Sequence, residues 1–290
     1  MSFKYNHIKK FGTMAIAIGL FFGCQPDEID EGNGLTDPNV DASFTISPIE
    51  GKTNRYLLEA QTQNVISSQW DFGDGVFKGK MTEEVFYPDA GTYNITHIAV
   101  GRGGAKGSLT KELVVETSDP VAGNLVQGGK FANEDDYAKW TILKINPSGS
   151  EWVFNEGSAT LYSTESSSQQ GIYQTIEVKK DKVYTIDMKV SGGANQDTWF
   201  EIYAGTTVPQ EGSDYTDTRI MGLNTWDGCG NEAFSGKLSQ IGCVKNSQTE
   251  TVSNEVTFEQ DGTIYLVIRG GGASVAPEGI TITDVEMRGS

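Results

Sequence analysis

Apolar and polar residues alternate in short runs along most of this chain, and glycine-rich turns separate the runs. Within residues 198–204, Phe200 and Ile202 fall on one face of an extended strand. Trp199 and Glu201 fall on the opposite face. A period of two is typical of half-buried β-strands, and no long segment of good helix formers shows the helical period of 3.6. The pattern predicts an all-β protein.

The predicted strands form two groups, one on each side of residues 119–123, which we interpret as a linker. The first group, within residues 40–118, has strands at 42–46, 55–60, 65–70, 86–95, 96–100 and 109–116. The second group, within residues 124–290, has strands at 152–154, 159–163, 172–178, 183–190, 198–204, 252–258, 263–269 and 280–287. Eight short strands at this spacing favour a two-sheet jelly roll for the second group.

The first 23 residues have the pattern of an export signal. Three lysines precede an apolar run at residues 11–22, which is shorter than the about 20 residues that span a bilayer. The run ends in Leu-Phe-Phe-Gly-Cys24, which resembles the lipobox of bacterial lipoproteins. The resemblance implies cleavage before Cys24 and lipidation of its thiol. An ordinary signal peptide with an incidental cysteine is the alternative.

Residues 24–39 are acidic, contain glycine and have few large apolar side chains. This composition predicts a solvated tether. An acidic run directly after a lipid-bearing cysteine resembles the export signal of surface lipoproteins in Sus-like glycan-uptake systems. The resemblance implies a lipid-anchored protein exposed on the outer membrane, beside other outer-membrane glycan-uptake proteins.

The formal net charge is -17. Such a surface repels phosphate backbones, so we expect no nucleic-acid partner. Polyanionic sugars are disfavoured for the same reason, unless a local basic pocket overrides the overall charge.

Residues 70–75 read Trp-Asp-Phe-Gly-Asp-Gly, and residues 87–93 read Tyr-Pro-Asp-Ala-Gly-Thr-Tyr. This pair of motifs resembles the PKD domain, and the resemblance covers residues 40–118. It implies an immunoglobulin-like β-sandwich that serves as a spacer or interaction module. We interpret Asp71 and Asp74 as carboxylates that cap a turn beside a core tryptophan, rather than as metal or acid–base groups.

The second group of strands resembles carbohydrate-binding modules of the family 4 and 22 type. The segments that carry the likeness are residues 124–131 with Trp140 downstream, residues 172–178 followed by 182–186, and the closing residues 279–287. The resemblance implies a jelly roll that binds carbohydrate. The chain departs from the better-known members in its long loop at 205–250.

Cys229 and Cys243 lie in that loop, and an exported chain meets an oxidising compartment, so we expect them to form a disulfide. The crosslink would either shape a wall of a binding site or simply stabilise the loop. Metal binding by the pair is disfavoured, because the one histidine beyond the signal segment is His97, in the other domain.

A pyranose-binding site needs exposed aromatic rings for the apolar faces of the sugar, and amides, acids or arginine for its hydroxyls. Strand alternation and the loop composition suggest seven candidates, Trp226, Trp199, Tyr203, Glu201, Arg269, Tyr265 and Gln174. Tyr173 and Gln174 face opposite sides of their strand, so only one of these two can join the others. Trp226 is either an exposed platform or an anchor under the loop, and Trp199 is either a ligand residue or part of the core. Trp140 and Trp152 we assign to the core.

Jelly-roll modules of this kind often hold a structural calcium. The matching ligands here would be Asp284 and the carbonyl groups of Gly129 and Lys130, because oxygen ligands suit Ca²⁺. A solvent-facing Asp284 is the alternative.

We expect a non-catalytic protein that binds a polysaccharide and supports its uptake, with a neutral β-glucan such as a β-1,3-glucan as the first candidate. A glycoside hydrolase or lyase on a β-sandwich is one alternative, but no predicted strand carries closely alternating acids, and serine chemistry lacks a histidine in the second domain. A protein-binding adhesin or scaffold is the other alternative.

Overall fold

The computed structural model describes residues 39–290. The predicted signal peptide at residues 1–23, the lipidation site Cys24 and nearly all of the predicted tether lie outside the described residues. Within residues 39–290, no helix is long and apolar enough to cross a membrane. The described chain is almost entirely β, which confirms the predicted fold class.

The first domain is a sandwich of two antiparallel sheets. Its strands are β1 (Phe44–Pro48), β2 (Arg55–Ala60), β3 (Val65–Asp71), β4 (Val76–Gly79), β5 (Thr82–Phe86), β6 (Gly91–Gly101) and β7 (Lys106–Val115). One sheet has the order β1-β2-β5 and the other β4-β3-β6-β7. The sequence pattern did not predict β4 and β5, because β4 is short and exposed and β5 is separated from it by only two residues.

Trp70 of β3 is the centre of the first core. Its ring is fully buried and meets the edge of Phe44 at a centroid distance of 5.2 Å. The ring of His97 lies 4.4 Å from it. Both nitrogens of this buried histidine have partners, the carbonyl oxygen of Ala42 at 2.9 Å and the hydroxyl of Ser68 at 2.9 Å. His97 is therefore a satisfied core residue.

Asp71 caps the turn that follows β3. Its carboxylate accepts hydrogen bonds from the backbone N–H groups of Gly73 at 2.8 Å and Gly75 at 3.2 Å. This is the role that the Asp-Phe-Gly-Asp-Gly motif predicted, because a short carboxylate can replace a backbone acceptor in a turn.

The second domain is a larger sandwich. Its strands are β8 (Thr141–Leu143), β9 (Ser150–Asn155), β10 (Ser158–Ser163), β11 (Gln169–Val178), β12 (Val183–Gly192), β13 (Gln196–Gly205), β14 (Arg219–Asn224), β15 (Phe234–Lys237), β16 (Glu255–Thr257), β17 (Gly262–Ser274) and β18 (Ile280–Gly289). Two short helices accompany them, α1 (Glu134–Tyr137) and α2 (Leu238–Ile241). One sheet has the order β15-β12-β18-β10-β9, with β16 also paired to β12, and the other has the order β14-β13-β17-β11-β8.

The core of this domain lies between the two sheets. Phe200 and Ile202 of β13 are fully buried there, as the alternation of β13 predicted. Trp140 and Trp152 are also part of this core, at 6% and 7% exposure. The remaining face of the β14-β13-β17-β11-β8 sheet points away from the core, and we call it the outer face.

The eight strands predicted for this domain correspond to β9–β13 and β16–β18. Three further strands, β8, β14 and β15, were not predicted. β14 and β15 lie inside residues 205–250, which the sequence analysis treated as loop. β14 contains Gly222, whose Cα would carry a side chain only 2.3 Å from the carbonyl oxygen of Phe200. The backbone of β13 lies so close to β14 that only glycine fits at this position. Because glycine is uncommon inside strands, its presence weakened the strand pattern in the sequence.

The segment at 119–123 is a hydrogen-bonded turn that connects to both domains. Arg288 of β18 donates to both carboxylate oxygens of Asp89 in the first domain, at 3.1 and 2.8 Å, and to the carbonyl oxygen of Ala122 at 3.2 Å. Asp89 also accepts the backbone N–H of Asn124 at 2.7 Å. A bidentate arginine–carboxylate pair fixes orientation as well as distance, so this contact sets how the domains meet.

We predict that Arg288→Ala loosens this junction. A broad-specificity protease should cleave the variant within residues 119–123 on the order of fivefold faster than it cleaves the wild type. The reason is that a half-exposed ion pair contributes up to about 1 kcal/mol. Arg55→Ala is the matched control, since Arg55 forms an exposed ion pair with Glu84 and not with Asp89. Equal cleavage rates for the two variants would contradict the assigned role of Arg288.

We also predict that the junction opens in acid. Burial alone would raise the pKa of Asp89, but the hydrogen bonds from Arg288 and from the backbone of Asn124 outweigh it and hold the pKa below its usual value. The contact is therefore complete above the ordinary aspartate pKa of about 4 and is lost as the pH falls through the lowered value. Small-angle scattering of the wild type between pH 6 and 2 should show the domains separating only below about pH 4.

Candidate functional site

Trp226 stands on a tight turn that follows β14. The backbone carbonyl of Asn224 accepts hydrogen bonds from the N–H groups of Asp227 at 3.0 Å and Cys229 at 3.2 Å. The side-chain oxygen of Asn224 accepts the N–H of Trp226 itself at 2.9 Å. The backbone is thus fixed on both sides of Trp226, and the residue is 61% exposed. Trp226 is therefore a platform in solvent and not an anchor.

The predicted disulfide between Cys229 and Cys243 is confirmed, with Cα atoms 6.0 Å apart. The N–H of Cys243 donates to the carbonyl oxygen of Gly222 in β14 at 3.1 Å. The crosslink therefore joins the end of the Trp226 turn to a segment that is already bonded to the sheet. Closing a loop of roughly 15 residues contributes about 3 kcal/mol in the chain-entropy account.

Trp199 lies beside Trp226, on the outer face of β13. The two ring centroids are 6.2 Å apart and the ring planes differ by 32°. Trp199 is half-buried, and its partner on β17 is Gly271, which brings no side chain next to it. Only glycine fits at 271, because a Cβ would lie 1.9 Å from the carbonyl oxygen of Ser168. We call Trp199 and Trp226 the tryptophan pair.

The centre of the outer face is covered by residues 206–218, which connect β13 to β14 and which we call the strap. Tyr215 of the strap meets Tyr203 of β13 edge-on, with ring centroids 5.8 Å apart. The N–H of Gly212 donates to the carbonyl oxygen of Lys144 at 2.9 Å. The buried side chains beneath and beside the strap are Leu143, Ile145, Tyr203, Tyr215 and Val267.

A network of charged and polar groups lies under the strap. Arg269 of β17 donates to Glu201 Oε2 at 3.1 Å and to the Tyr203 hydroxyl at 2.7 Å. The Tyr203 hydroxyl in turn donates to Glu201 Oε2 at 2.6 Å. Arg219 of β14 reaches Glu201 Oε1 at 3.4 Å. Buried charges are tolerated only when they are paired in this way.

Several predicted sugar ligands are therefore not open to solvent. Glu201, Tyr203 and Arg269 share the outer face, as predicted, but they are only 5%, 3% and 6% exposed because the strap covers them. The strand pattern predicted an open groove at this position. The covered network is a correction to that assumption.

Gln174 does not join the outer face. It lies on the other face of β11 at 7% exposure, where its amide accepts the N–H of Gln127 at 2.9 Å and donates to the carbonyl of the same residue at 3.0 Å. Both polar atoms of the Gln174 side chain are bonded to the backbone of Gln127, so this side chain stabilises the fold.

Tyr265 is half-buried on the outer face beyond the strap. Its ring lies 6.2 Å from that of Tyr173 on β11. Tyr265 pairs with Gly205, six residues from Trp199 along β13, which corresponds to about 20 Å at 3.3 Å per residue. The tryptophan pair and this tyrosine pair therefore lie at different places on one sheet face, and the tyrosine pair packs against the buried residues beneath the strap.

Both buried tyrosines under the strap hold their protons tightly. Burial raises the pKa of Tyr203, and the neighbouring Glu201 carboxylate raises it further, while Arg269 partly opposes both effects. Burial likewise raises the pKa of Tyr215, with the charge of Asp217 adding to the effect. Ionising either phenol would place an uncompensated negative charge in the covered centre of the sheet.

The predicted calcium ligands Asp284 and Gly129 have other partners in this structure. The Asp284 carboxylate lies 2.8 Å from the ammonium group of Lys189, and the carbonyl oxygen of Gly129 accepts the N–H of Val285 at 2.9 Å. The side chain of Lys130 lines the same groove and adds positive charge. Within residues 39–290, no group of three or more His, Cys, Asp or Glu residues is arranged to hold a metal.

Four residues that shape this surface were not predicted from the sequence. Asn224 fixes the Trp226 turn, and its position two residues before the tryptophan is a recognisable Asx-turn signal. Gln169, Asp214 and Tyr215 contact the covered network, but they come from β11 and the strap. No local pattern indicates that these distant segments meet Arg269.

Comparison with known proteins gives no assignment by sequence. No protein-family model matches the chain, and no curated protein matches it. One similar solved structure is a carbohydrate-binding module of the β-sandwich superfamily, at 15% identity over 87% of this chain and 99% of the other, with a TM-score of 0.30. A CBM4 structure is similar at 15% identity over 57% of this chain and 99% of the other, with a TM-score of 0.29. The enzymatically active domain of tailspike protein 4 of bacteriophage CBA120 is similar at 13% identity over 61% of this chain and 23% of the other, with a TM-score of 0.33. At these TM-scores, the likenesses carry no argument about this chain.

We predict that removing the disulfide destabilises the second domain. The double variant Cys229→Ser, Cys243→Ser should lose about 3 kcal/mol of unfolding free energy in urea, because its unfolded chain is no longer constrained. Dithiothreitol should lower the stability of the wild type to that of the variant and leave the variant unchanged. A wild type that is insensitive to the reductant would contradict this role of the crosslink.

We predict that the free energy of unfolding falls at alkaline pH, because Tyr203 and Tyr215 keep their protons in the folded state. Because the pKa of each tyrosine is raised in the folded state, the unfolded chain releases that proton at a lower pH than the folded chain does. The contribution of the protonated tyrosines to stability is therefore complete below about pH 10 and is lost as the pH rises through the raised value. Unfolding free energy measured between pH 8 and 12 should decline less steeply for Tyr203→Phe than for the wild type. Identical pH slopes would show that Tyr203 is not held in this way.

Proposed function

We propose that this chain is a lipid-anchored surface protein that binds a polysaccharide through the tryptophan pair of its second domain. The observation that carries the proposal is the exposure of Trp226, 61%, on a turn that is fixed by Asn224 and by the Cys229–Cys243 crosslink. The Trp226 ring contacts Trp199, at a centroid distance of 6.2 Å, and is otherwise surrounded by water. It loses little conformational entropy when a ligand stacks on it.

The surroundings of the tryptophan pair suit a sugar. The rings present apolar faces, which complement the CH faces of a pyranose. Exposed polar side chains stand nearby, including Asp227 on the same turn and Asn231, whose amide donates to the carbonyl of Thr225 at 3.3 Å. A mixture of one aromatic surface and several amides or acids is typical of hydroxyl-rich ligands.

A non-catalytic role agrees with the state of Glu201, the carboxylate nearest the centre of the sheet face. It is 5% exposed and lies within 3.4 Å of two arginines. A general acid of a glycosidase needs a carboxyl group that the substrate can reach, and the strap covers Glu201.

The acidic surface supports a mostly neutral polymer, and a neutral β-glucan such as a β-1,3-glucan is the first candidate. The lipobox-like Leu-Phe-Phe-Gly-Cys24 segment and the acidic residues after it support attachment to the outer membrane with the domains facing outward. In this arrangement the first domain, which resembles PKD, is a spacer, and the captured polymer passes to neighbouring uptake proteins.

We predict that Trp226→Ala and Trp199→Ala each weaken retention in affinity electrophoresis against a panel of soluble polysaccharides that includes a β-1,3-glucan. The expected loss is about tenfold or more in affinity, as for central tryptophans in interfaces. Val252→Ala is the matched control, since Val252 is an exposed apolar residue, 52%, of the same domain. Unchanged unfolding free energy of Trp226→Ala separates lost binding from lost folding.

The same panel distinguishes the alternatives. Release of reducing ends from any retained polymer would indicate a hydrolase, and new unsaturated ends would indicate a lyase. Retention of no polysaccharide by the wild type would remove the glycan proposal and leave a protein-binding scaffold. Mass spectrometry of the membrane-extracted protein, showing a diacylated or triacylated Cys24, tests the anchor.

A further inference from the structure

Arg269 and Gln169 form a cradle that holds a carboxylate. The Nε2 group of Gln169 donates to Asp214 Oδ1, and Arg269 Nη1 lies 3.8 Å from the same oxygen. Arg269 also donates to the carbonyl oxygen of the Gln169 side chain. Gln169 is 8% exposed and the side chain of Arg269 is 8% exposed. The two cradle residues are therefore rigid parts of the sheet face.

The carboxylate in the cradle comes from an exposed part of the strap. The side chain of Asp214 is 57% exposed, although its partners are buried. Its neighbours on the strap at residues 210–213 are all exposed, and the strap is anchored there by one backbone hydrogen bond, from Gly212 to Lys144. Solvent reaches Asp214 directly, so another carboxylate can replace it without unfolding the sheet.

The charges of the network favour an anion in the cradle. Without Asp214, the network contains the buried pair of Arg269 and Glu201 and one further cation, Arg219, whose side chain is 39% exposed. A buried arginine with incomplete pairing is costly. The Nε group of Arg269 is buried and has no hydrogen-bond partner in the described structure, so the guanidinium retains a free donor. A neutral hydroxyl would satisfy a donor but would not balance the charge.

The cradle lies next to the tryptophan pair. Gly271 pairs with Trp199 on one side and with Gln169 on the other. Trp199 and Gln169 are thus two strands apart, which corresponds to about 10 Å at the usual strand spacing. A substituent on a sugar that stacks on Trp199 can therefore reach the cradle.

We infer that the cradle of Arg269 and Gln169 binds the carboxylate of a uronic acid residue, and that Asp214 occupies the cradle when no ligand is bound. Because the net charge of -17 repels a polyanion, the matching ligand is a largely neutral polysaccharide that carries sparse uronic acid substituents. The identity of the ligand as a glycan rests on the proposed function. The exchange of carboxylates at the cradle does not.

The test is a titration of the whole mature protein with D-glucuronate, followed by NMR of the arginine Nε–Hε signals. Asp214→Ala should bind glucuronate about tenfold more tightly than the wild type, because the internal competitor is removed. Asp214→Asn, which keeps the size of the side chain, should do the same if the alanine variant folds poorly. D-glucose, the neutral counterpart, should not bind measurably in either variant.

Glu211→Ala is the matched control, since Glu211 is an exposed acid of the strap with the same charge and no contact with Arg269. It should leave the glucuronate affinity at the wild-type value, and Gln169→Leu added to Asp214→Ala should abolish the gain. Equal affinity in Asp214→Ala and Glu211→Ala, or equal binding of glucose and glucuronate, would overturn the inference.

The two proposals fail separately. If Asp214→Ala binds glucuronate but the wild type retains no polysaccharide, the cradle stands and the glycan function falls. If polysaccharides are retained through Trp226 while glucuronate affinity is the same in all variants, the glycan function stands and the cradle falls. A polysaccharide with sparse uronic acids should also be retained more strongly than the same polymer after chemical reduction of its carboxyl groups.

Discussion

Side chains on a β-strand alternate between the two faces of the sheet, and in β13 this alternation divides a core from a surface. Phe200 and Ile202 point inward and are fully buried between the sheets. Trp199, Glu201 and Tyr203 therefore have to point outward, on the face away from the core. The burial of the first set holds the strand in register, since a slip by one residue would exchange the two sets. The position of the tryptophan pair depends on this constraint.

The outer face is not uniform, because the strap covers its centre. At its centre, Tyr215 packs on Tyr203, and the charges of Glu201 and Arg269 are paired beneath the strap. At one end the tryptophan pair is open, and beyond the strap the rings of Tyr173 and Tyr265 are half-buried. In the proposed glycan-binding role, the open end supplies aromatic contact, and the cradle of Arg269 and Gln169 supplies the polar contact.

The rigidity of Trp226 has a different origin from that of the strand residues. The turn is fixed by one asparagine, through its side chain and its carbonyl group, and the disulfide joins the end of the turn to the segment that follows α2. Covalent and local interactions here replace the packing that a core residue would use. An exposed aromatic ring can be presented in a fixed orientation only when its backbone is held in some such way.

The sequence by itself determined the features that depend on near neighbours. Alternation identified eight strands of the second domain and placed Trp199 and Phe200 on opposite faces of β13. The Asp-Phe-Gly-Asp-Gly motif indicated the capped turn at Asp71. Two cysteines close together in a chain with an export-like N-terminus indicated the Cys229–Cys243 crosslink. Only the tertiary structure decided that the strap covers Glu201, Tyr203 and Arg269. It also decided that Gln174 lies on the core side of β11 and that Lys189 forms an ion pair with Asp284. The physical reason is distance along the chain: Asp214 meets Arg269 and Gln169 from the strap, 55 and 45 residues away, and such contacts follow from how strands are ordered in the sheet, which no local period records.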